Sequence, residues 1–305
     1  MTDGAAQSAA PTLRELIGGA TVVLREAGVA SPGQDAAELA AHVLGVARVE
    51  LMGSPPVPEG FTERFAAVVE RRRSREPLQH IVGKVGFRHL TLVVVPGVFV
   101  PRPETELVAQ VAIDEAMALA DAGRRPVVVD LCCGGGAIAL AVATEVPAAR
   151  VVAVDLDAAA VALAGLNAAA CGVELRIELG DSTRTGTLKD LDTGVDVVVA
   201  NPPYIPADGE PLELEVRDHD PDLALYGGGA DGLAVPRGVV GTAARLLRDG
   251  GLLVMEHAEL QAAALRSYVA GMAQFEQVRT GRDLADRERM VVARRAPRAR
   301  SARVS

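Results

Sequence analysis

The sequence predicts an open α/β sheet preceded by a small helical bundle, and three observations carry that prediction. An apolar run from Pro126 through Asp130 to Leu131 enters a glycine-rich turn and then the helical pattern of 137–143, the first half of a βαβ unit. A second run, 149–154, ends at Asp155, about twenty residues past that turn. A third, Val195 to Ala200, is Val-rich enough to be a buried central strand, and it stops at Asn201-Pro202-Pro203-Tyr204, where two prolines cannot continue it.

The remaining elements follow in chain order. After a small-residue leader, 1–10, apolar residues at Leu13, Leu16, Ile17 and Val22 to Leu24 recur at helical spacing and stop at Gly28. Ser31-Pro32 reads as an N-cap and first-turn proline opening a second helix through Leu44, closed by Gly45. A loop with Pro55, Pro56 and Pro58 leads to a third helix, Thr62 to Arg75. These make a helical domain over 11–77. From Gln79 to Val100 the pattern alternates and is rich in Val, Phe and Thr, so 78–101 is expected to be a β-hairpin linker. Arg102-Pro103-Glu104-Thr105-Glu106 then opens a helix to about Asp121, with the proline and early carboxylates of an ordinary helix start. The α/β domain spans 102–296, and a basic, disordered tail is expected over 297–305.

In an open α/β sheet ligands bind beyond the carboxyl ends of the strands, which puts both the glycine turn and Asn201 to Tyr204 at a site. Backbone N–H groups at the helix start suit an anion, and Asp155 suits ribose hydroxyls. A nicotinamide dehydrogenase would need G-x-G-x-x-G, a spacing that Cys132 to Ala137 does not supply. Asn201 offers a side-chain carbonyl, the prolines offer backbone carbonyls, and Tyr204 offers a ring that covers a flat group. That set suits a planar nitrogen whose lone pair is delocalised, an amide or an exocyclic amine. Such a nitrogen attacks only when its hydrogens are gripped and its lone pair is turned toward an electrophile, a matter of positioning more than of acid-base work.

The order of these features, Asp130 before a glycine turn, Asp155 after the second strand, Asp181-Ser182 after the third and Asn201 to Tyr204 after the fourth, resembles S-adenosylmethionine methyltransferases of the Rossmann-like class I. Further segments narrow the resemblance: Pro77 to Gly83, Val100 to Glu106, Asn201 to Ile205, Ala224 to Leu233, Leu253 to His257 and Asp283 to Met290. With them the chain resembles the HemK/PrmC family, the protein-(glutamine-N5) methyltransferases of peptide chain release factors. The resemblance implies a seven-stranded mixed sheet with helices on both faces, behind an N-terminal bundle that recognises the substrate. It implies S-adenosyl-L-methionine as cofactor, contacting Asp130, Cys132, Cys133, Gly134, Gly135, Gly136, Asp155, Leu156, Asp181, Ser182 and Asn201. It implies a glutamine of a Gly-Gly-Gln loop bound by Asn201, Pro202, Pro203 and Tyr204, with Asn201, Pro202 and Tyr204 promoting transfer. Arg102 and Thr105 are weaker candidates, and Phe99 is read as core.

One departure from the family pattern stands out: the loop is usually D-x-G-x-G-x-G, and its first glycine is here Cys132, followed by Cys133. A positive φ at that position would strain a cysteine. Two small residues filling a tight turn is a simpler account of the pair than a redox-sensitive thiol.

Composition sets outer limits. At 305 residues and 49% hydrophobic content there is room for one large and one small domain. Three cysteines, two adjacent, give no disulfide framework, no Cys/His spacing matches a zinc site, and no apolar run reaches membrane-spanning length, so a cytoplasmic protein without metal is expected. The five histidines show no paired spacing. A net charge of −9 opposes binding to duplex DNA, whose phosphates demand Lys and Arg. The basic stretch Arg294 to Arg300 is either a solvated end or an arm for RNA, the latter fitting an encounter near the ribosome. A monomer is expected. Two rival readings stay open: another acceptor, such as a different protein glutamine or a nucleic-acid base, and a non-catalytic scaffold for a release factor or ribosome.

Overall fold

The computed structural model describes residues 11–50, 57–209 and 213–298, arranged as two compact units that divide between Gly83 and Lys84. The leader 1–10, Pro55, Pro56 and tail residues 299–305 lie outside the described residues.

The first unit holds α1 (Leu13–Glu26), α2 (Pro32–Leu44), α3 (Phe61–Arg73) and α4 (Leu78–Val82). A capping box starts α1: the Thr12 hydroxyl accepts from the Glu15 N–H, and the Thr12 N–H donates to the Glu15 carboxylate at 2.8 Å. Ser31 occupies the N-cap of α2 but its side chain makes no capping bond, so the proline at the first position carries that start. The expected hairpin does not begin at 78. Leu78, Ile81 and Val82 recur at helical spacing and bury against the bundle, so 78–82 is a helical turn stopped by Gly83. Arg72 of α3 donates to Asp35 of α2 at 2.7 Å, a buried ion pair beneath the apolar layer of Leu24, Leu39, Phe61 and Phe65.

The second unit opens with a short hairpin, β1 (Lys84–Phe87) and β2 (Leu90–Val93), followed by α5 (Thr105–Asp121), β3 (Val127–Leu131), α6 (Ala137–Glu145), β4 (Arg150–Asp155), α7 (Ala158–Cys171), β5 (Arg176–Leu179) and β6 (Val195–Ala200). It continues through α8 (Leu214–His219), α9 (Asp222–Leu225), α10 (Ala234–Leu246), β7 (Leu247–Glu256), α11 (Ala262–Ala270), β8 (Phe275–Arg282) and β9 (Glu288–Arg295). The larger sheet has the order β5-β4-β3-β6-β7-β9-β8, parallel through β7, with β9 antiparallel to both of its neighbours.

Its central strands β3, β4 and β6 are apolar on both faces because both faces are covered. Val128, Val151, Val197 and Val254 join the core under α5 and α6; their neighbours Val129, Val152, Val198 and Leu253 join the core under α10 and α11. Asp196 interrupts the β6 run, and it is satisfied by the Val127 N–H at 2.7 Å and by Arg124 at 2.8 Å. The strand order reverses between β3 and β6, where Leu131 pairs with Ala200. The residues that follow, Cys132 and Asn201, therefore leave the sheet side by side at the position where such folds bind ligands.

The basic stretch is anchored rather than loose where it is described. Arg294 pairs with Glu115 at 2.6 Å, buried Arg295 donates to the carbonyls of Ala244 and Gln274, and Arg298 pairs with Asp249 at 2.8 Å. Among the described residues, no helix is long and apolar enough to cross a membrane and no group of three His, Cys, Asp or Glu is placed to hold a metal ion.

Candidate active site

A cavity of about 560 Å³ opens at the switch point, within the size range of ligand pockets. Cys132, Cys133, Gly134, Gly135, Asp155, Leu156, Asp181, Ser182 and all of Asn201 to Tyr204 line it. Two expected site residues do not. Asp130 is fully buried beneath the turn, where its Oδ2 accepts the Ala139 N–H at 3.0 Å and holds the start of α6; burial pushes its carboxyl up to about 8. Gly136 faces α7, and a Cβ there would lie 3.2 Å from the Ala164 side chain, so it serves helix packing.

The turn itself is strained at the departure noted in the sequence. Cys132 has φ +65, the left-handed region, at a cost of about 1–2 kcal/mol for a residue with a Cβ. Burial pushes its thiol up to about 12, with the Asp155 charge adding to the rise, so no thiolate forms near neutral pH. The Gly134 N–H expected to meet an anion donates instead to Asp155 Oδ2 at 2.7 Å, while the Asp157 N–H donates to Oδ1 at 2.9 Å. Asp155 thus ties β4 to the turn, and burial raises its carboxyl despite those two donors. Leu156, 53% exposed, gives the cavity an apolar wall beside it.

Asn167 is a residue that sequence reasoning missed. It is buried on α7, donates to the carbonyls of Val93 at 3.1 Å and Gly135 at 3.0 Å, and accepts the Val93 N–H at 2.8 Å. One amide so joins the hairpin to the glycine turn. The available signal was an isolated asparagine in the otherwise small and apolar run Ala158 to Cys171.

On the β6 side, Asn201 Nδ2 donates to Thr105 Oγ1 at 3.3 Å, and the Thr105 hydroxyl donates to Glu256 Oε2 at 2.8 Å. The Tyr204 hydroxyl reaches Glu256 Oε1 at 3.4 Å, a long contact. Burial, with the Glu256 charge second, pushes the Tyr204 phenol up, so it stays protonated. Glu256 is 2% exposed at the end of β7, and burial holds its carboxyl up at about 7 against the lowering effect of the Thr105 hydroxyl. Its neighbour His257 is fully buried and shifted down, chiefly by burial.

Backbone contacts clamp the same segment from outside. The Tyr204 and Ile205 N–H groups both donate to the Leu225 carbonyl, the Gly227 N–H donates to Ile205, and Gln261 Nε2 bridges the carbonyls of Tyr204 and Asp231 at 2.6 and 2.8 Å. The stretch Gly227 to Leu233 is a buttress: a Cβ on Gly232 would lie 2.2 Å from the Tyr204 carbonyl oxygen. Phe99 is half-buried on the cavity wall rather than in the core, with the Arg102 guanidinium 5.0 Å above its ring and the far side of Arg102 paired with Asp220.

A parallel sheet that ends in an inserted antiparallel strand, with its cavity at this switch point, is the framework of the S-adenosylmethionine-dependent methyltransferases. The comparisons with known proteins agree and go further. A family model described as the PrmC N-terminal domain matches residues 15–83, and one described as the methyltransferase small domain matches 91–214. The release factor glutamine methyltransferase of Streptomyces coelicolor is 47% identical over 278 residues, covering 91% of this chain and 96% of its own. That of Mycolicibacterium smegmatis is 46% identical over 287 residues, covering 94% and 99%. A 4-amino-L-phenylalanine/4-methylamino-L-phenylalanine methyltransferase of Streptomyces pristinaespiralis is 42% identical over 263 residues, covering 85% and 87%. The chain belongs to the release factor glutamine methyltransferase family.

Proposed function

We propose that this protein methylates the side-chain amide nitrogen of the glutamine in the Gly-Gly-Gln motif of class-one peptide chain release factors, with S-adenosyl-L-methionine as methyl donor. The observation that carries this reading is the Asn201 amide: its Nδ2 is engaged by Thr105, which leaves Oδ1 as the acceptor of a side chain that lines the cavity together with Pro202. The residues present fit the cofactor. Gly134 has open space where a side chain would stand, the Asp155 carboxylate borders the cavity, and exposed Leu156 offers an apolar surface to a ring. Cys132, Cys133, Gly135, Asp181 and Ser182 complete that wall. When bound, the cofactor supplies an electrophilic methyl on a sulfonium.

The chain's own residues do the positioning. Asn201 Oδ1 and the Pro202 carbonyl accept the two amide hydrogens of the glutamine, Tyr204 packs on its plane, and Pro203 stiffens the segment between them. Gripping both N–H bonds frees the nitrogen lone pair from conjugation and orients it for attack. The apolar cavity excludes water, and the nitrogen proton leaves afterwards to solvent. The helical unit selects the release factor, because the cavity alone sees only one side chain. The enzyme acts as a cytoplasmic monomer without DNA.

Incubation with a release factor and methyl-labelled cofactor, followed by mass spectrometry of the Gly-Gly-Gln peptide, tests the reading; one added methyl on that glutamine is expected. Asn201→Ala is expected to lose turnover by about two orders of magnitude or more while cofactor affinity survives, and equal loss of both overturns its role. Free 4-amino-L-phenylalanine belongs in the same assay, since a relative is named for that acceptor. Methylation of it in place of the glutamine moves the substrate to aromatic amines.

A further inference from the structure

Glu256 is the least explained group at the cavity. It is a fully formed carboxyl at the end of β7, 2% exposed, and nothing in the proposed transfer requires a base. Its two oxygens are nonetheless divided between Thr105, which holds Asn201, and Tyr204, which is assigned to the acceptor: Oε2 takes the Thr105 hydroxyl at 2.8 Å, and Oε1 faces the Tyr204 hydroxyl at 3.4 Å. A carboxylate only accepts hydrogen bonds. The Thr105 proton must then point at Glu256, the Thr105 oxygen is left as an acceptor, and Asn201 must present its NH₂ to Thr105 and its oxygen to the cavity.

We propose that ionised Glu256 is a positioning residue which, acting through the Thr105 hydroxyl, decides which end of the Asn201 amide faces the acceptor. The inference rests on the amide-gripping role given to Asn201 above. A neutral carboxyl reverses the relay. Its proton is donated to Thr105 Oγ1, the Thr105 proton turns to Asn201 Oδ1, and the amide rotates to show the cavity an NH₂ that repels the acceptor's own N–H groups. No atom is transferred in this switch beyond the proton taken from solvent.

The groups around Glu256 set where that happens. Thr105 and Glu104 face it from the start of α5, Tyr204 from the segment after β6, and Arg289 from β9; Arg102 contributes charge near Tyr204. Arg289 favours the ionised form and Glu104 opposes it, but burial outweighs both and leaves the carboxyl at about 7. Arg289 is itself held by Asp283 at 3.3 Å, so its charge is partly spent. The relay therefore operates near neutral pH, productive above the titration and unproductive below it.

The chain contains two asparagines in 305 residues, Asn167 and Asn201, so protein labelled with ¹⁵N-asparagine shows two side-chain NH₂ pairs by NMR. Expected is an Asn201 pair that moves with a midpoint near 7 in the wild type and stays still in Glu256→Gln, with the Asn167 pair still in both. In turnover, Glu256→Gln is expected to lower kcat about tenfold or more, to leave the cofactor KM nearly unchanged, and to lack the acid limb of the wild-type profile. Should Glu256→Gln fail to fold, Thr105→Val is expected to abolish the Asn201 titration and Thr105→Ser to restore it. An Asn201 pair that does not titrate in the wild type, or titrates alike in the variants, overturns the proposal. The NMR arm needs no acceptor. A wild-type protein silent toward release factor therefore refutes the proposed function alone, whereas an unmoved amide refutes the relay alone.

Discussion

Replacing Asn167 by Ala is expected to loosen the glycine turn without touching the cavity's chemical groups. The side chain makes three hydrogen bonds at 2.8 to 3.1 Å, all to backbone of Val93 or Gly135, and is 1% exposed. At about 1 kcal/mol net per bond the loss is about 3 kcal/mol, offset by about 0.5 kcal/mol from the better helix propensity of alanine. A net cost of about 2.5 kcal/mol lowers the melting temperature of a domain of this size by roughly 5–10 °C. Because Gly135 is released on the cavity wall, cofactor affinity falls as well, by about tenfold if some 1.4 kcal/mol of the loss appears only in the bound state. Thermal unfolding followed by circular dichroism, beside calorimetric titration of the cofactor, reads both. A melting temperature lowered by less than about 2 °C would show that water replaces the lost partners and that the amide does not fasten the glycine turn.

Other perturbations test separate parts of the site. Gly232→Ala places a Cβ 2.2 Å from the Tyr204 carbonyl oxygen, so turnover should collapse while the far-ultraviolet spectrum of the sheet persists; an active variant refutes the buttress. Asp130 keeps its proton in the folded protein up to about pH 8 and loses it near 3.8 when unfolded, so stability falls as pH rises between those values. Asp130→Asn should shrink the drop in melting temperature between pH 5 and 8, with the remainder owed partly to Glu256, which titrates in the same sense near 7. Cys132→Gly relieves about 1–2 kcal/mol of backbone strain but returns about 1 kcal/mol of chain entropy to the unfolded state. Stability and cofactor affinity should therefore both change little, and a large gain in affinity by calorimetry would show that the cysteine hinders binding.

What could be read from the residues was whatever depends on local pattern. The strands β3, β4 and β6, the helix starting at Thr105 and the placement of Asn201 to Tyr204 followed from apolar runs, prolines and glycines whose effects act within a few residues. The segment 78–82 was misjudged because five residues of mixed apolar character satisfy a period of 2 and of 3.6 nearly as well, and burial against the bundle decided between them. The separation of Asp130 and Gly136 from the cavity depends on which way a turn faces, and only the packing of α6 against α7 determines that. Glu256 is one acidic residue after an apolar run, with no local mark of its partners. Its link to Asn201 through Thr105 spans 151 positions of sequence in one bond and 96 in the next, a distance no local signal crosses.

The position of β9 bears on how the molecule is made. A ribosome delivers the chain from its first residue onward, so β7 and β8 emerge before the strand that must slide between them. Until then β7 has an open edge and Glu256 lacks the Arg289 that faces it. A partly made chain already carries the glycine turn and Asn201 to Tyr204, yet the pocket around them lacks Arg289 until 288–295 insert between β7 and β8. A chain cut short before that strand leaves β7 as an exposed sheet edge, with its unpaired N–H and C=O groups open to another strand.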